Sequence, residues 1–350
     1  ALRCFAMLLL FSVARLWNQS GIKYRGDADL FKLLSKRNQE NPGTSTVVAI
    51  VSVLVYSVYE VYAFWVAPTA HWLRRHIAQP LNVQTLLLLL TNSLIIVYKV
   101  SVEFMGSSSW AFTILVPQLT YLSLLLMLLV TVIYIPVREN ILVSSAHVIT
   151  RVFSAFICLQ FLLQKSENAP LILAINLLCF LTFRAARQGR WNISHPTEII
   201  MFCHMMGLAC FYMFGNSISI SSIDFSGAYI GFSSFQQEII GCFIVCMVYV
   251  GPIAFDLTTI VSLTHRNFYH TVSRFALFKI SLRALTMLIF SIVIYTMRSH
   301  LFIWSVFSPK LLHESFLSLY TLGAVLLLSG FITMSMAYYV DYSFYKVRIR

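Results

Sequence analysis

Two basic residues inside an apolar stretch are the first candidates for chemistry in this sequence. Lys279 and Arg283 are four positions apart, so they lie on one face of any helix that forms there. Charges within a membrane-spanning helix are costly and are usually kept with a partner. Two interpretations stay open: a phosphate-binding face for a lipid headgroup, or ion pairs with Asp256 and Glu60 that fix the packing of the helices. Arg151 has the same two interpretations.

Further candidates lie in and beside predicted loops. Residues 300–314 place aromatic side chains between polar or small ones, which predicts an interfacial, re-entrant stretch. Trp304 would then sit at headgroup depth and Lys310 could meet a phosphate, although a plain aromatic belt would have the same composition. Asn216 and Asp224 either line a polar entrance for a lipid substrate or cap helices and turns.

Metal chemistry has little support in the residue pattern. His204 follows Cys203 in an apolar segment, and Cys210 lies nearby, but these side chains do not share one helix face and zinc prefers about four ligands. We therefore expect His204 to be a hydrogen-bonded histidine inside the bundle, and we assign no catalytic residue and no metal site. All seven cysteines fall in apolar segments, which favours buried free thiols. The pair Gly251-Pro252 predicts a kink within a helix.

The segments that carry these residues are typical of a membrane protein. Of 350 residues, 59% are apolar and 11% are charged, and the mean hydropathy is +0.79, so the bilayer must be the solvent. We predict an all-α, polytopic transmembrane bundle of about ten helices, because helices satisfy their own backbone groups in lipid. The first span, Leu2–Val13, is short and indicates a truncated helix. The other predicted spans are Thr46–Val66, Val83–Val100, Trp110–Ile135, Ala146–Leu163, Pro170–Phe183, Glu198–Phe214, Glu238–Leu263, Phe275–Met297 and Phe316–Val340.

The distribution of charge predicts partners and orientation. The net charge is +12, but the basic residues are scattered over short loops, which favours anionic headgroups over nucleic acid. The loop over residues 215–237 has no Lys or Arg, which indicates a lumenal position and places most basic loops and the C-terminus in the cytosol. The basic loop Ala14–Ser45 disagrees, because it would be lumenal. This orientation makes Asn18 a glycosylation candidate and leaves the sequon at Asn192 in the cytosol.

Three predicted loop segments resemble, in order and spacing, those of the GPI ethanolamine phosphate transferases. The first is residues 15–21, the second comprises 211–216 and 223–231, and the third is 300–314. The third, with the sequence HLFIWSVFSPKLLHE, is the most specific. The resemblance is closest to the type that acts on the second mannose, and the type that acts on the third mannose is the nearest alternative. The helices between these segments match only in hydrophobicity.

The resemblance implies an activity for which this chain would supply only one part. Members of the family carry an N-terminal lumenal domain of alkaline-phosphatase type, which binds zinc and moves phosphoethanolamine from phosphatidylethanolamine onto a mannose of the GPI precursor in the endoplasmic reticulum. Residues 1–350 would be the C-terminal transmembrane domain, with the catalytic domain and its zinc absent from this chain. We expect this part to hold the two lipid substrates, to dock the small hydrophobic stabilising subunit of the family, and to transfer nothing by itself.

The residues alone leave other function classes open. An unrelated multi-pass transporter would show broken helices at matching positions in two halves, and only Gly251-Pro252 gives a convincing break. A receptor or channel would need a pore or ligand cavity, for which the sequence has no signature. Both rank below the transferase interpretation.

Overall fold

The regular structure of the chain is helical wherever the chain is described. The computed structural model describes residues 2–17, 29–66, 68–105, 111–133, 141–187, 196–216, 224–300 and 304–323. The predicted all-α class is confirmed. The helices are α1 (Leu2–Arg15), α2 (Leu30–Glu40), α3 (Thr44–Val66), α4 (Pro68–Met105), α5 (Val116–Ile133), α6 (Ile141–Leu163), α7 (Ala169–Arg187), α8 (Pro196–Met213), α9 (Gln237–Val248), α10 (Val250–Thr296) and α11 (304–323).

Several of these helices can cross a bilayer by their length and composition. Five stretches within the described residues qualify, namely Thr44–Tyr62, Val83–Phe104, Phe112–Thr131, Ser166–Ala186 and Ser273–Thr296, and the bent pair α9 and the start of α10 makes a sixth. Shorter apolar helices cover Ala6–Arg15, Val148–Leu163 and Thr197–Met213.

Hydroxyl side chains within the helices often bond to the preceding turn, as Thr120 of α5 does to the Val116 carbonyl at 2.9 Å. Such bonds satisfy polar side chains where no water is available.

Helix α10 is not a straight rod, although its helical residues run from Val250 to Thr296. Asp256 and Lys279 would be about 35 Å apart along a straight helix, because each residue adds about 1.5 Å. Their side chains nevertheless form an ion pair, with Lys279 Nζ 2.6 Å from Asp256 Oδ1. The chain therefore reverses between a first arm, Val250–Ser262, and a second arm, Ser273–Thr296. This reversal agrees with the two separate spans predicted from the sequence.

Two glycines bring α8 and the first arm of α10 into backbone contact. A Cβ atom on Gly251 would lie 2.6 Å from the Gly207 carbonyl oxygen and 2.6 Å from Cys210 Cβ. A Cβ atom on Gly207 would lie 3.1 Å from Pro252 Cα. The two helices can approach this closely only because neither position carries a side chain.

The predicted kink is present, in the turn that precedes Pro252. The chain bends by 78° between α9 and the first arm of α10, at Tyr249. Pro252 belongs to the first turn of α10, where a missing backbone N–H is tolerated. It has no N–H to offer the Val248 carbonyl, and the Asn216 side chain donates to that carbonyl instead, at 3.2 Å. The prediction of a kink at Gly251-Pro252 is thus confirmed.

Amide side chains satisfy the other carbonyl groups at the end of α9. Gln160 Nε2 donates to the Cys246 carbonyl at 3.0 Å, and Gln164 Nε2 donates to the Met247 carbonyl at 2.9 Å. Gln160 lies on α6 and Gln164 directly follows its last residue, and most of the described side chains of α6 are buried. Away from water, a helix can be broken only if the released backbone groups find such partners. The break is therefore stabilised by specific hydrogen bonds and is a regular part of the bundle.

Replacing Gln160 by leucine is expected to lower the free energy of unfolding by about 1–3 kcal/mol, because the Cys246 carbonyl would be left buried without a donor. The measurement is unfolding of the purified chain in mixed micelles, followed by circular dichroism. The matched control is Gln237→Leu, since Gln237 is exposed at the start of α9 and makes no described side-chain hydrogen bond. Equal losses in the two variants would contradict this role for Gln160.

The described part of the predicted re-entrant stretch at residues 300–314 is helical. Residues 304–323 form one continuous helix, and Pro309 lies within its second turn rather than breaking it. His313 and Glu314 are buried in the bundle, and the helix that contains them begins earlier than the predicted Phe316. Pro309 is the sixth residue of this helix, so it removes the backbone bond to the Ser305 carbonyl without ending the helix.

Three other expectations need comment. The polar loop Ala14–Ser45 contains the helix α2, which has no buried residue and is capped by the Asp29 side chain at the Lys32 N–H. Of the cysteines expected to be buried, Cys242 is exposed and Cys246 is half-buried. The sequons at Asn18 and Asn192, the side chain of Cys4 and residues 324–340 of the last predicted span lie outside the described part of the chain.

Candidate functional site

A cluster of buried charged groups lies where α8, both arms of α10 and α11 meet. Lys279 on the second arm bonds Asp256 on the first arm, and its Nζ also lies 3.0 Å from Nδ1 of His204 on α8. Tyr320 on α11 donates its hydroxyl to Asp256 Oδ2 at 3.3 Å. Because an ammonium group has only donors, Nδ1 of His204 must accept and Nε2 must carry the proton. His204 is thus a hydrogen-bonded histidine in the bundle, as predicted.

The second basic residue has a counter-ion that the sequence did not reveal. Arg283 Nη1 donates to Glu314 Oε2 at 2.8 Å, and both side chains are about one-tenth exposed. The expectation that Glu60 would pair with the basic residues of this helix is wrong. The one signal in the sequence is the position of Glu314 as the last residue of the fifteen-residue motif. The composition of the motif predicts a loop, however, and a loop residue is not expected to carry a charge inside the bundle.

Glu60 belongs to a different buried network between α3 and α6. Its Oε2 accepts a hydrogen bond from Ser154 Oγ at 3.0 Å, and it interacts electrostatically with Arg151. Tyr56, one turn before Glu60, donates to the Ser154 carbonyl at 3.2 Å. This network joins two core helices and lies apart from the charges on α10, which favours the structural interpretation of Arg151.

The pair Arg283–Glu314 lines a cleft of about 260 Å³. Side chains from four elements form its walls: Met201, His204, Met205, Leu208, Phe211 and Tyr212 of α8; Tyr249 and Pro252 at the helix break; Phe278, Leu282, Arg283 and Thr286 of the second arm; and His313, Glu314 and Leu317 of α11. Most of the walls are apolar and the charged groups lie together, which is the usual composition of a ligand pocket.

Aromatic rings hold the wall of the cleft at the helix break. Tyr249 stacks on Phe211, with ring centroids 5.8 Å apart, and on Tyr320, with centroids 5.5 Å apart. The imidazole of His313 lies against two of these rings, 5.7 Å from Phe211 and 6.1 Å from Tyr249. The break at Tyr249 therefore turns an aromatic side chain towards α11, and a straight helix would not have placed it there.

His313 is a polar group that sequence reasoning did not single out. Its side chain is 3% exposed, and neither ring nitrogen has a hydrogen-bond partner among the described residues. Buried polar groups are normally paired, so an unpaired imidazole at the wall of a cleft needs an explanation.

Of the predicted site residues, Arg283 lines this cleft and Lys279 lies in the adjoining charge cluster, whereas the structure places the remaining four outside the cleft. Trp304 is 57% exposed at the start of α11, and its Nε1 donates to the Arg298 carbonyl at 3.2 Å. Lys310 lies over the Phe307 ring, with Nζ 5.2 Å from the centroid. Asn216 bonds to the carbonyls of Phe211 and Val248, which matches the capping interpretation. Of the six predicted residues, Lys279 and Arg283 are brought together with the buried charges.

Asp224 lies in the connection between α8 and α9 and forms an ion pair with Lys165, just after the end of α6. Its Oδ2 lies 2.6 Å from Lys165 Nζ, and its Oδ1 accepts from the backbone N–H and the hydroxyl of Ser226. Gly227 packs so tightly on the Leu163 carbonyl that a Cβ atom could not fit. These contacts match a turn-capping role.

The pKa of the Asp224 carboxyl makes this contact pH-dependent. Partial burial raises the pKa, but the hydrogen bonds from Lys165 and Ser226 outweigh burial and lower the pKa from 3.8 to about 2. Because the folded pKa is the lower one, the stabilisation is complete above about pH 4 and is lost as the pH falls towards 2. The two side chains are about half exposed, so screening by solvent limits the effect to about 1 kcal/mol or less.

We therefore expect Asp224→Asn to be less stable than the wild type at pH 5, with a difference that shrinks at pH 3. The measurement is the thermal unfolding midpoint of the purified chain at both pH values. Glu238→Gln, at another exposed carboxyl, serves as control. A difference that grows on acidification would show that the sign of the argument is wrong.

The described residues contain no group of three or more His, Cys, Asp or Glu side chains that could hold a metal ion. The zinc that the resemblance implies therefore has no fitting site in this part of the chain, and no chemical step is assigned to it.

The number of helices that are long and apolar enough to cross a bilayer defines a multi-pass α-helical membrane protein. Residues 1–338 match the family model described as the GPI ethanolamine phosphate transferase membrane region. Because this match covers nearly the whole sequence, the chain belongs to that family.

Individual relatives align with parts of the chain. The human protein named GPI ethanolamine phosphate transferase 2, catalytic subunit, is 28% identical over 164 residues, which cover 47% of this chain and 16% of the human protein. The GPI ethanolamine phosphate transferase 2 of Debaryomyces hansenii is 30% identical over 178 residues, covering 43% of this chain and 20% of that protein. The protein of the same name from Schizosaccharomyces pombe is 30% identical over 141 residues. The matched part is thus at most about a fifth of the length of these relatives. No solved structure matches the chain significantly.

Proposed function

We propose that this chain is the membrane part of the transferase that adds phosphoethanolamine to the second mannose of the GPI anchor precursor. The observation that carries the proposal is the family match over residues 1–338. The reported relatives share one subtype name, which supports a single subtype. The loop motifs favour the second-mannose type over the third-mannose type.

In this proposal the chemistry takes place on another region of the enzyme. A lumenal, zinc-binding catalytic domain would carry the phosphoryl transfer, and the helices described above would bring the donor phosphatidylethanolamine and the acceptor GPI lipid into register beneath it. The purified chain by itself is expected to transfer no phosphoethanolamine. Transfer by the isolated chain, measured with radiolabelled donor lipid, would refute this division of labour.

The cleft beside Arg283 is the best candidate for the lipid-handling part. Arg283 would contact a headgroup, whereas Lys279, bonded to both Asp256 and His204, would act by holding the helices in place. Trp304 and Lys310 remain proposed headgroup contacts at the start of α11. Asn216 and Asp224 remain proposed members of the polar entrance, and their described bonds support a positioning role.

The proposed setting is the endoplasmic reticulum membrane, with residues 215–237 in the lumen and the C-terminus in the cytosol. The contact of Lys165 with Asp224 supports a common side for the connections after α6 and α8. An N-glycan at Asn18 would test this orientation. Removal of the glycan by Asn18→Gln, and its retention in Asn192→Gln, are the expected results, and the reverse pattern would invert the topology.

The proposed partner is the small hydrophobic stabilising subunit of the family, together with the two lipid substrates. Co-purification from detergent-solubilised membranes is the test of this contact. Failure to recover the subunit under conditions that retain bound lipid would count against it.

The experiment that tests the function itself is deletion of the gene, followed by mass spectrometry of GPI intermediates. We expect accumulation of a precursor that lacks phosphoethanolamine on the second mannose, and reversal by the intact gene. Normal modification of the second mannose would refute the assignment. If the missing group were on the third mannose instead, the sister type would be correct.

A further inference from the structure

The second arm of α10, Ser273–Thr296, is the least buried of the five long spans among the described residues. Only 11% of its most apolar stretch is buried inside the protein, against 33–50% for the other four. Four large side chains on this arm are each more than half exposed and follow the spacing of one helix face, namely Leu285, Leu288, Ile292 and Tyr295. In a chain that spans a bilayer, such a face contacts either lipid or another protein.

The stripe formed by these four side chains matches one leaflet of a membrane in length. Leu285 and Tyr295 are ten residues apart, which is about 15 Å along a helix. The hydrocarbon core of a bilayer is about 30 Å thick, so one leaflet spans about half of that distance. Every member of the stripe is large, whereas helices that pack together in membranes favour small residues at their interface. The stripe therefore suits an acyl chain better than the helix of a partner protein.

A basic group is held at the end of the stripe. The guanidinium of Arg298, an exposed residue two positions beyond the end of α10, lies over the Tyr295 ring at 5.3 Å from its centroid. The Arg298 carbonyl accepts a hydrogen bond from Nε1 of Trp304 at 3.2 Å, so the start of α11 fixes the backbone there. Because the ring covers one face of the guanidinium, the N–H groups at its edge stay available for a ligand.

The positive charge at the junction of α10 and α11 is not balanced within its own segment. Between positions 273 and 323 the single acidic residue is Glu314, and it pairs with Arg283. Arg298 and Lys310 have no ion pair among the described residues. A zwitterionic headgroup would bring its own cation into this positive region, which is unfavourable. A headgroup with net negative charge avoids that repulsion, and its phosphate oxygens accept two parallel N–H bonds from a guanidinium.

A second arginine shows that the pair of guanidinium and ring is not sufficient by itself. Arg184, near the end of α7, lies over the Phe180 ring, also at 5.3 Å from the centroid. The span that carries it is 50% buried, and none of its large apolar side chains is exposed. Arg298 therefore combines the same cation–ring contact with an exposed apolar stripe, which Arg184 lacks.

We propose that the outer face of the second arm binds one anionic phospholipid, with its phosphate at Arg298 and an acyl chain along the stripe. The site lies outside the cleft of Arg283 and Glu314, and its lipid is neither the donor nor the acceptor of the transferase. The inference goes beyond the proposed function and does not depend on it. The lipid would cover the face of the arm that the described protein leaves uncovered.

The first test is native mass spectrometry of the purified chain in detergent with equimolar phosphatidylglycerol and phosphatidylcholine that carry the same acyl chains. We expect the first bound lipid to be phosphatidylglycerol with a preference of about fivefold, the size expected for one basic residue at an anionic surface. Arg298→Gln should abolish this preference. Arg184→Gln is the matched control, because it removes the same group from the same ring contact, and it should leave the preference unchanged. Equal retention of the two lipids, or equal effects of the two substitutions, would overturn the proposal.

The second test locates the acyl chain. Leu288→benzoylphenylalanine places a photoreactive group in the middle of the stripe, and irradiation of intact membranes should attach it to phospholipid. The same group at Leu122, an exposed residue of α5, reports on bulk lipid. Mass spectrometry should find anionic lipid enriched about fivefold at Leu288 relative to Leu122. Attachment of Leu288→benzoylphenylalanine to a polypeptide would show that a partner protein covers the stripe, and the proposal would then be wrong.

Competition with soluble glycerol phosphate distinguishes a phospholipid from a free phosphate ester. Because the acyl chain contributes to binding, the soluble compound should not displace phosphatidylglycerol from the chain. Displacement would overturn the assignment to a phospholipid. None of these measurements depends on the GPI intermediates of a deletion strain, so this proposal and the proposed function can fail separately.

Discussion

Lys279→Met is expected to lower the free energy of unfolding by about 3–5 kcal/mol, because it leaves the buried carboxylate of Asp256 without its cation. Asp256→Leu should have a loss of similar size for the converse reason. The double variant should recover more than half of the loss, since no uncompensated charge then remains. The measurement is a double-mutant cycle from unfolding in mixed micelles.

The control for this cycle is Lys310→Met, which removes a charge that has no described ion pair and should change stability by less than about 0.5 kcal/mol. The cycle also separates the two interpretations of Lys279. If Lys279 only fixes the helices, the double variant should regain complementation of a gene-deletion strain together with stability. Recovered stability without recovered complementation would show that Lys279 contacts the substrate, contrary to its placement here.

Gly251→Ala is expected to lower the free energy of unfolding by about 3 kcal/mol, near the upper end of over-packing costs. Its new methyl group would overlap the Gly207 carbonyl and Cys210 Cβ, each at 2.6 Å, and α8 would have to move away from the first arm of α10. That movement would also open the cleft, so binding of lipid should weaken in parallel. The measurement is unfolding of purified protein in mixed micelles.

Gly241→Ala provides a matched control for this change. A Cβ atom on Gly241 would meet nothing within 4 Å, and the residue lies inside the helix α9. Alanine there should raise stability by about 0.5–1 kcal/mol, because it restricts the unfolded chain and favours helix. Similar losses for both glycines would contradict the close approach of α8 and α10.

Several features of the fold were accessible from the sequence because they depend on composition along the chain. Hydropathy identified the all-α class and most spans, since any segment of sufficient length and apolarity must be helical in lipid. It missed α2, whose polar residues give no membrane signal, and it placed α11 too late, because Lys310, His313 and Glu314 interrupt the hydropathy of a helix that continues through them. The pair Gly251-Pro252 correctly predicted a kink, and the chain bends at Tyr249, three residues before the proline.

The candidate site was only partly predictable. Spacing indicated that Lys279 and Arg283 share a helix face, and Asp256 was correctly named as a counter-ion. Glu314 and His313 could not be assigned to the site, because the side chains that they contact come from other helices. No local sequence pattern shows which helix faces pack together. Trp304 and Lys310 are predicted headgroup contacts because their stretch has the composition of an interfacial segment, and they lie on an earlier part of α11 than the residues that line the cleft.

The sequence by itself determined that the protein is embedded in a lipid bilayer, that it is helical and to which family it belongs. These properties follow from composition and from motifs that are local in the chain. Only the tertiary structure decided which charges pair, where the helix breaks and which side chains face the cleft. These depend on close contacts between distant segments: Gly207 with Gly251, Asn216 with Val248, and Arg283 with Glu314. Such contacts are fixed by packing and by the need to satisfy buried polar groups, which are properties of the assembled bundle.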